Sequence, residues 1–103
     1  MTDKVRQRAL LEENYYDDRR EIERQRELVF EKEIEVKRET PRLMEKMYAL
    51  IPENKEELGK LDLKFRDIDD EFHRQTNKLH QRLEEEQQRL DSRYKQALDD
   101  LDG

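Results

Sequence analysis

The chain has 103 residues, 49% of them charged and only 32% hydrophobic, with a net charge of −6. That length supports one domain at most, and so many intermixed charges with so small an imbalance fit long solvated helices or coiled coils. The lack of cysteine excludes disulfides and thiolate metal sites, and the acidic balance argues against a nucleic-acid binder, whose affinity comes from neutralising phosphates.

The opening MTDKVRQRAL has no apolar segment of the kind a secretory leader needs. From Asp3 to Glu39 no glycine or proline interrupts the chain, so the first expected element is a helix over about 3–39. Its apolar face runs at sevens through Tyr15, Ile22, Val29 and Val36, then Leu43 and Leu50. The companion positions, Arg19, Arg26, Glu33, Thr40 and Met47, are poorly filled, so this helix does not make a self-sufficient two-stranded coiled coil.

The next stretch, ETPRLMEKMYALIPENKEELGKL, holds both prolines and the longest apolar run, Met47 to Ile51. Thr40-Pro41 has the form of an N-cap followed by proline at the first helical position, and proline disfavours helical geometry at the residue before it. A short helix over about 41–51 is therefore expected, stopped by Pro52, with a turn over about 52–60. Asn54 and Glu57 form a capping pattern for the helix that follows, and Gly59 weakens its first turns.

Beyond the turn a different period takes over. Leu61, Phe72, Leu83 and Tyr94 recur every eleven residues, as do Ile68, Leu79, Leu90 and Leu101. Phe65, Thr76, Gln87 and Leu98 complete the stripe with polar residues in its middle. Eleven residues over three turns describes a nearly straight helix, expected over about 61–101. The whole reads as an all-α, long antiparallel helical hairpin, coiled-coil-like, forming a single domain with a short helix at the corner. Folding about that corner brings Tyr15 near Asp91, Ile22 near Glu84 and Val36 near Asp70. Apolar residues number 13 of 30 between Leu43 and Phe72 but only 7 of 31 from His73 to Gly103, so the head is expected to hold a small core above a thin stem. A thin two-helix stem needs added support. Without disulfides, the expected support is a second copy, two hairpins making a four-helix bundle through the stripe residues.

Several clusters carry a functional reading beside a plainer one. Asp70 and His73 make a D-x-x-H, which loosely resembles the E-x-x-H element of di-iron carboxylate bundles, and Glu33 would fall opposite His73. Asp in place of Glu, and Asn77 before His80, depart from that pattern, so both histidines read as flanking, solvated residues. Glu23, Glu27, Glu31, Glu35 and Glu39 form a like-charge ladder at spacings of four. Glu27, Glu31 and Glu35 are its candidate contacts for a basic partner; the plainer reading is a face neutralised by Arg24, Lys32 and Arg38. Tyr16 and Tyr48 are candidate interface anchors; because Tyr15 takes the stripe, Tyr16 is either exposed or in contact with a third helix. Met44 and Met47 mark either an adaptable binding surface or a small core.

A chain with one serine, no glycine-rich phosphate loop and no H-E-x-x-H offers no catalytic constellation, and no cofactor or metal is expected. No apolar run is long enough for a membrane span, which makes a cytoplasmic protein the expectation. In outline the pattern resembles small helical-hairpin chaperones and coiled-coil adaptors, a likeness of shape with no residue-level match. The leading expectation is a non-enzymatic chaperone or assembly adaptor that binds a helical or basic protein through helix faces. An acidic chaperone for a basic client such as a histone comes next, then a structural coiled-coil spacer, and last a di-metal carboxylate bundle.

Overall fold

A computed structural model describes residues 2–50 and 55–103. They form two helices, α1 (Thr2–Leu50) and α2 (Lys55–Asp102), with only Gly103 outside them. Long runs of Glu, Arg, Leu, Lys and Gln lose little rotamer freedom in a helix, and side-chain pairs three or four residues apart reinforce the exposed faces. Such pairs join Arg24 to Glu21 at 2.7 Å, Lys32 to Glu35 at 3.1 Å and Arg74 to Glu71 at 2.8 Å. Glu56 and Glu57 place negative charge on the first turn of α2, where the helix dipole favours it.

The expected break at Thr40-Pro41 does not occur. Pro41 lies inside α1, so there is no separate helix over 41–51, and the helix after the turn begins at Lys55 rather than 61. Proline removes the hydrogen bond to the Lys37 carbonyl and crowds it. However, Pro41 itself is exposed, where water can serve that carbonyl, while Thr40 and Met44 on either side are half-buried against the other helix. Packing on both sides outweighs the local penalty. The inward-facing line adapts as it passes: Val36, Thr40, Met44 and Met47 follow one another by four, four and three, an eleven-residue step inside a heptad pattern. The capping role of Asn54 and the stop at Pro52 lie outside the described residues.

The chain divides into two compact units. Unit 1 comprises the residues up to Leu28 together with His80–Gly103; unit 2 comprises Val29–Leu79. In each, α1 and α2 run antiparallel, as the hairpin reading requires. In unit 1, Tyr15 donates a hydrogen bond to Asp91 at 2.6 Å, the pairing expected from the sequence, and Arg8 is paired with Asp102. The Tyr15 ring stacks on Tyr94 at 4.2 Å and 13°, while Tyr16, at 5.3 Å, turns its edge to Tyr15 and stays exposed. Ile22, Leu83 and Leu90 are buried beside them. In unit 2, Tyr48 donates to Asp62, and its ring meets Phe65 edge-on at 6.5 Å. Phe65 and Thr76 are buried; the Thr76 hydroxyl donates to the His73 carbonyl at 3.1 Å.

The head, between Leu43 and Phe72, buries Phe65 and half-buries Met44, Met47, Tyr48, Leu58, Leu61 and Phe72, but the more deeply buried line lies elsewhere. Among the described residues, three of the four buried hydrophobic side chains, Ile22, Leu83 and Leu90, belong to unit 1, and Phe65 stands alone in unit 2. Two helices laid side by side shield one line of contact each. The additional apolar residues of unit 2 fall off that line.

Candidate functional site

Helical geometry sorts the side chains of unit 2 by face. At 100° per residue, a position one or four beyond an inward-facing residue turns to one side of the hairpin, and a position three beyond turns to the other. Because the helices are antiparallel, the same offsets on α1 and α2 point to the same side. The inward line in this unit is Val29, Val36, Thr40, Met44 and Met47 on α1, with Leu61, Phe65, Phe72 and Thr76 on α2, all half-buried or buried.

On the first side lies an open groove of about 740 Å³. Val36, Thr40, Met44, Phe65, Phe72 and Thr76 line it toward the seam, while Pro41, Lys37, Glu33, Asp62, Arg66, Asp69 and His73 complete it. The rim thus mixes three carboxylates with two permanent cations. His73 keeps its Nδ1 2.8 Å from the Asp69 carbonyl and 3.5 Å from the Asp69 carboxylate. At the outer end, the Asp62 carboxylate that accepts from Tyr48 raises that phenol above its ordinary value. Phe30, one residue beyond the inward Val29, and Ile34, one beyond the rim residue Glu33, turn to this side of α1 outside the lining and are 60% and 50% exposed.

On the second side, Leu43 and Leu50 stand three residues beyond Thr40 and Met47, and Ile68 and Leu79 stand three beyond Phe65 and Thr76. Their exposures are 52%, 83%, 65% and 40%. The eleven-residue set containing Ile68 and Leu79 therefore splits: those two leave the seam, whereas Leu90 is buried and Leu101 half-buried in unit 1. The set of Leu61, Phe72, Leu83 and Tyr94 stays inward throughout.

The other expected residues fall as follows. Met44 lines the groove, and Met47 and Tyr48 are half-buried. Glu33 and His73 share the groove, as their opposition in the sequence reading required, but the carboxylate beside His73 is Asp69 rather than Asp70. Among the described residues, no group of three or more His, Asp or Glu is placed to hold a metal ion. The Glu ladder is interrupted: Arg19 lies 3.4 Å from Glu23 and Lys32 3.1 Å from Glu35, while Glu27 and Glu31 are exposed. Phe30, Ile34 and Pro41 escape the heptad reading, because a residue one position beyond the stripe looks solvent-facing until the second helix shows which side forms a groove. No described helix is long and apolar enough to cross a membrane.

No family model matches the chain, and neither a curated protein nor a solved structure matches it.

Proposed function

We propose that this chain is a non-enzymatic protein-interaction module, a small helical chaperone or assembly adaptor. A partner protein presents an amphipathic helix to the groove of unit 2. The observation that carries the reading is an open apolar trough, floored by Met44, Phe65 and Phe72, with exposed Phe30 and Ile34 beside it on α1. Helix-in-groove recognition uses apolar anchors of this kind, and methionine in the floor adapts to the shape of the incoming side chains. The mixed charges of Glu33, Lys37, Asp62 and Arg66 around the trough then select partner and register rather than supply affinity.

A basic client is supported less well, because the ladder from Glu23 to Glu39 is partly neutralised by Arg19 and Lys32. A pure spacer has no use for the seven exposed large apolar side chains among the described residues of unit 2.

A photo-crosslinking amino acid at position 34, set beside one at the exposed position Gln88 in unit 1, away from both sides of unit 2, tests the reading in cells. A discrete protein adduct from position 34, lost when Phe30 and Met44 are changed to Ser in a chain that remains helical, is the expected result. Equal adducts from both positions, or none from 34, would reject it.

A further inference from the structure

The opposite side of unit 2 carries a second signal, in its charges. Flanking the exposed Leu43 and Leu50, α1 presents Lys32, Glu39 and Lys46 at steps of seven. Flanking Ile68 and Leu79, α2 presents Glu57, Lys64, Glu71 and Lys78, also at steps of seven. The sign alternates at every step. A surface that meets a copy of itself across a two-fold axis must be complementary to its own reversal, and these rows satisfy that condition about one level. On α2, Lys64 with Glu71 and Glu57 with Lys78 share a midpoint, between Asp67 and Ile68. On α1, Glu39 and Lys46 are centred between Arg42 and Leu43. The cross-helix register is independent of those charges: Tyr48 pairs with Asp62 and meets the Phe65 ring, so facing residue numbers in this unit add to about 110 to 113. That register puts the α1 midpoint within a turn of the level of the α2 midpoint. A single axis serves all three pairs.

We propose that two copies of this chain pack antiparallel and face to face through Leu43, Leu50, Ile68 and Leu79, about a two-fold axis at the level of Leu43 and Ile68. α1 then lies along α1 of the second copy and α2 along α2, so that four helices share a core at this level. Ile68 meets Ile68 of the second copy, and Leu43 meets Leu43. Lys64 reaches Glu71 across the axis, twice per dimer, and Glu39 reaches Lys46 in the same way. Apolar burial supplies the affinity, and the charges set orientation, since a parallel or shifted arrangement sets like charges against each other. Glu71 also accepts from Arg74 at 2.8 Å and from Gln75 at 2.8 Å within its own helix. It can keep those bonds, because a carboxylate accepts several donors. The proposal rests on the protein-interaction reading above and gives that module a second face, occupied by its own copy, on the side away from the groove.

The test is the mass of the purified full chain by light scattering, with the dissociation constant taken from sedimentation across a hundredfold dilution. The expected mass is twice 12.8 kDa. Ile68→Glu combined with Leu43→Glu yields a monomer of unchanged helicity, since both side chains are exposed in the single hairpin. Lys64→Glu replaces two attractions by two repulsions and raises the dissociation constant about tenfold. Adding Glu71→Lys to it recovers the loss, and the Glu39→Lys, Lys46→Glu pair behaves alike. A wild-type chain that stays at 12.8 kDa at every concentration overturns the proposal. So does a dimer that ignores the two Glu substitutions, or a Lys64 defect that Glu71→Lys leaves in place. The crosslink at position 34 reports on the groove side alone, so loss of the dimer with retention of that adduct separates failure here from failure of the adaptor reading.

Discussion

Unit 1 is the poorer in apolar residues and the better packed; unit 2 is the richer and the less packed. Unit 1 buries Ile22, Leu83 and Leu90, stacks Tyr15 on Tyr94, and joins its helices through Tyr15–Asp91 and Arg8–Asp102. Among the described residues of unit 2, Phe65 is the one buried hydrophobic side chain, and Phe30, Ile34, Leu43, Leu50, Leu63, Ile68 and Leu79 are at least 40% exposed. Apolar content and apolar burial thus diverge within one hairpin. What a helix pair buries is the line along which it meets its neighbour, and apolar side chains off that line are surplus to the fold. Unit 1 leaves Val5, Leu10, Tyr16 and Leu28 exposed, fewer than the seven described in unit 2; both proposals concern unit 2 because an interaction surface requires a surplus of that kind.

The packing contrast is widest between two leucines. Leu83→Ala in unit 1 removes a side chain only 5% exposed and should cost about 3 kcal/mol, whereas Leu63→Ala in unit 2, 59% exposed, should cost well under about 1 kcal/mol. Thermal melts of the two variants, read by helical circular dichroism, decide the matter. Equal losses would mean that the packing contrast between the units is wrong.

Next in size is the backbone of unit 2. Pro41 lies inside α1 and Gly59 inside α2, and a Cβ at Gly59 would meet nothing within 4 Å. Pro41→Ala restores a hydrogen bond to Lys37 and should stabilise by about 1–3 kcal/mol. Gly59→Ala should add about 0.5–1 kcal/mol through the unfolded chain. Hydrogen exchange on unit 2 amides is the sensitive measure, because protection there should rise while unit 1 changes little.

These residues also show how far the sequence could be read. The eleven-residue recurrence of Leu61, Phe72, Leu83 and Tyr94 was enough to define α2 and its inward line, and the hairpin register was legible enough to put Tyr15 beside Asp91. Thr40-Pro41 misleads because its start signal is local, whereas the continuity of α1 is decided by the half-burial of Thr40 and Met44. The groove was invisible for a related reason: it is a property of two helices, and residues such as Ile34 and Pro41 sit one step off either period. The alternating Lys/Glu rows were present at sevens all along. Their meaning depends on which side of the hairpin they border, and only the antiparallel register supplies that.

Tyr15→Phe tests the polar link of unit 1 and should cost about 1 kcal/mol at neutral pH. Its signature lies in the pH profile. The bond from Tyr15 holds the Asp91 carboxyl below its ordinary 3.8, and Asp91 holds the Tyr15 hydroxyl above its ordinary 10.0. A depressed carboxylate contributes stability that is present above the unfolded value and fades as pH falls through the folded one. A raised phenol contributes stability that is present below 10.0 and is lost as pH rises through the folded value. The wild type therefore weakens at both the acid and the alkaline ends relative to Tyr15→Phe, and the two curves should converge there. Curves that coincide from pH 2 to pH 11 would show that the bond contributes nothing, and curves a constant distance apart would show that neither ionisation is linked to it.

The smallest expected effect belongs to Arg8, whose guanidinium donates to Asp102 where the last turn of α2 has no basic residue of its own. Both side chains are about half exposed, at 49% and 59%. Water and salt screen such a pair, and holding two long side chains in one geometry costs entropy, so Arg8→Ala should lower stability by no more than about 0.5 kcal/mol. The loss should vanish in about 1 M salt, where the screening length falls to roughly 3 Å. A loss above about 1.5 kcal/mol that persists in high salt would mean that the ends of unit 1 are fastened by more than the buried line of Ile22, Leu83 and Leu90. The contrast between a packed unit and an under-packed one would then have to be redrawn around charge.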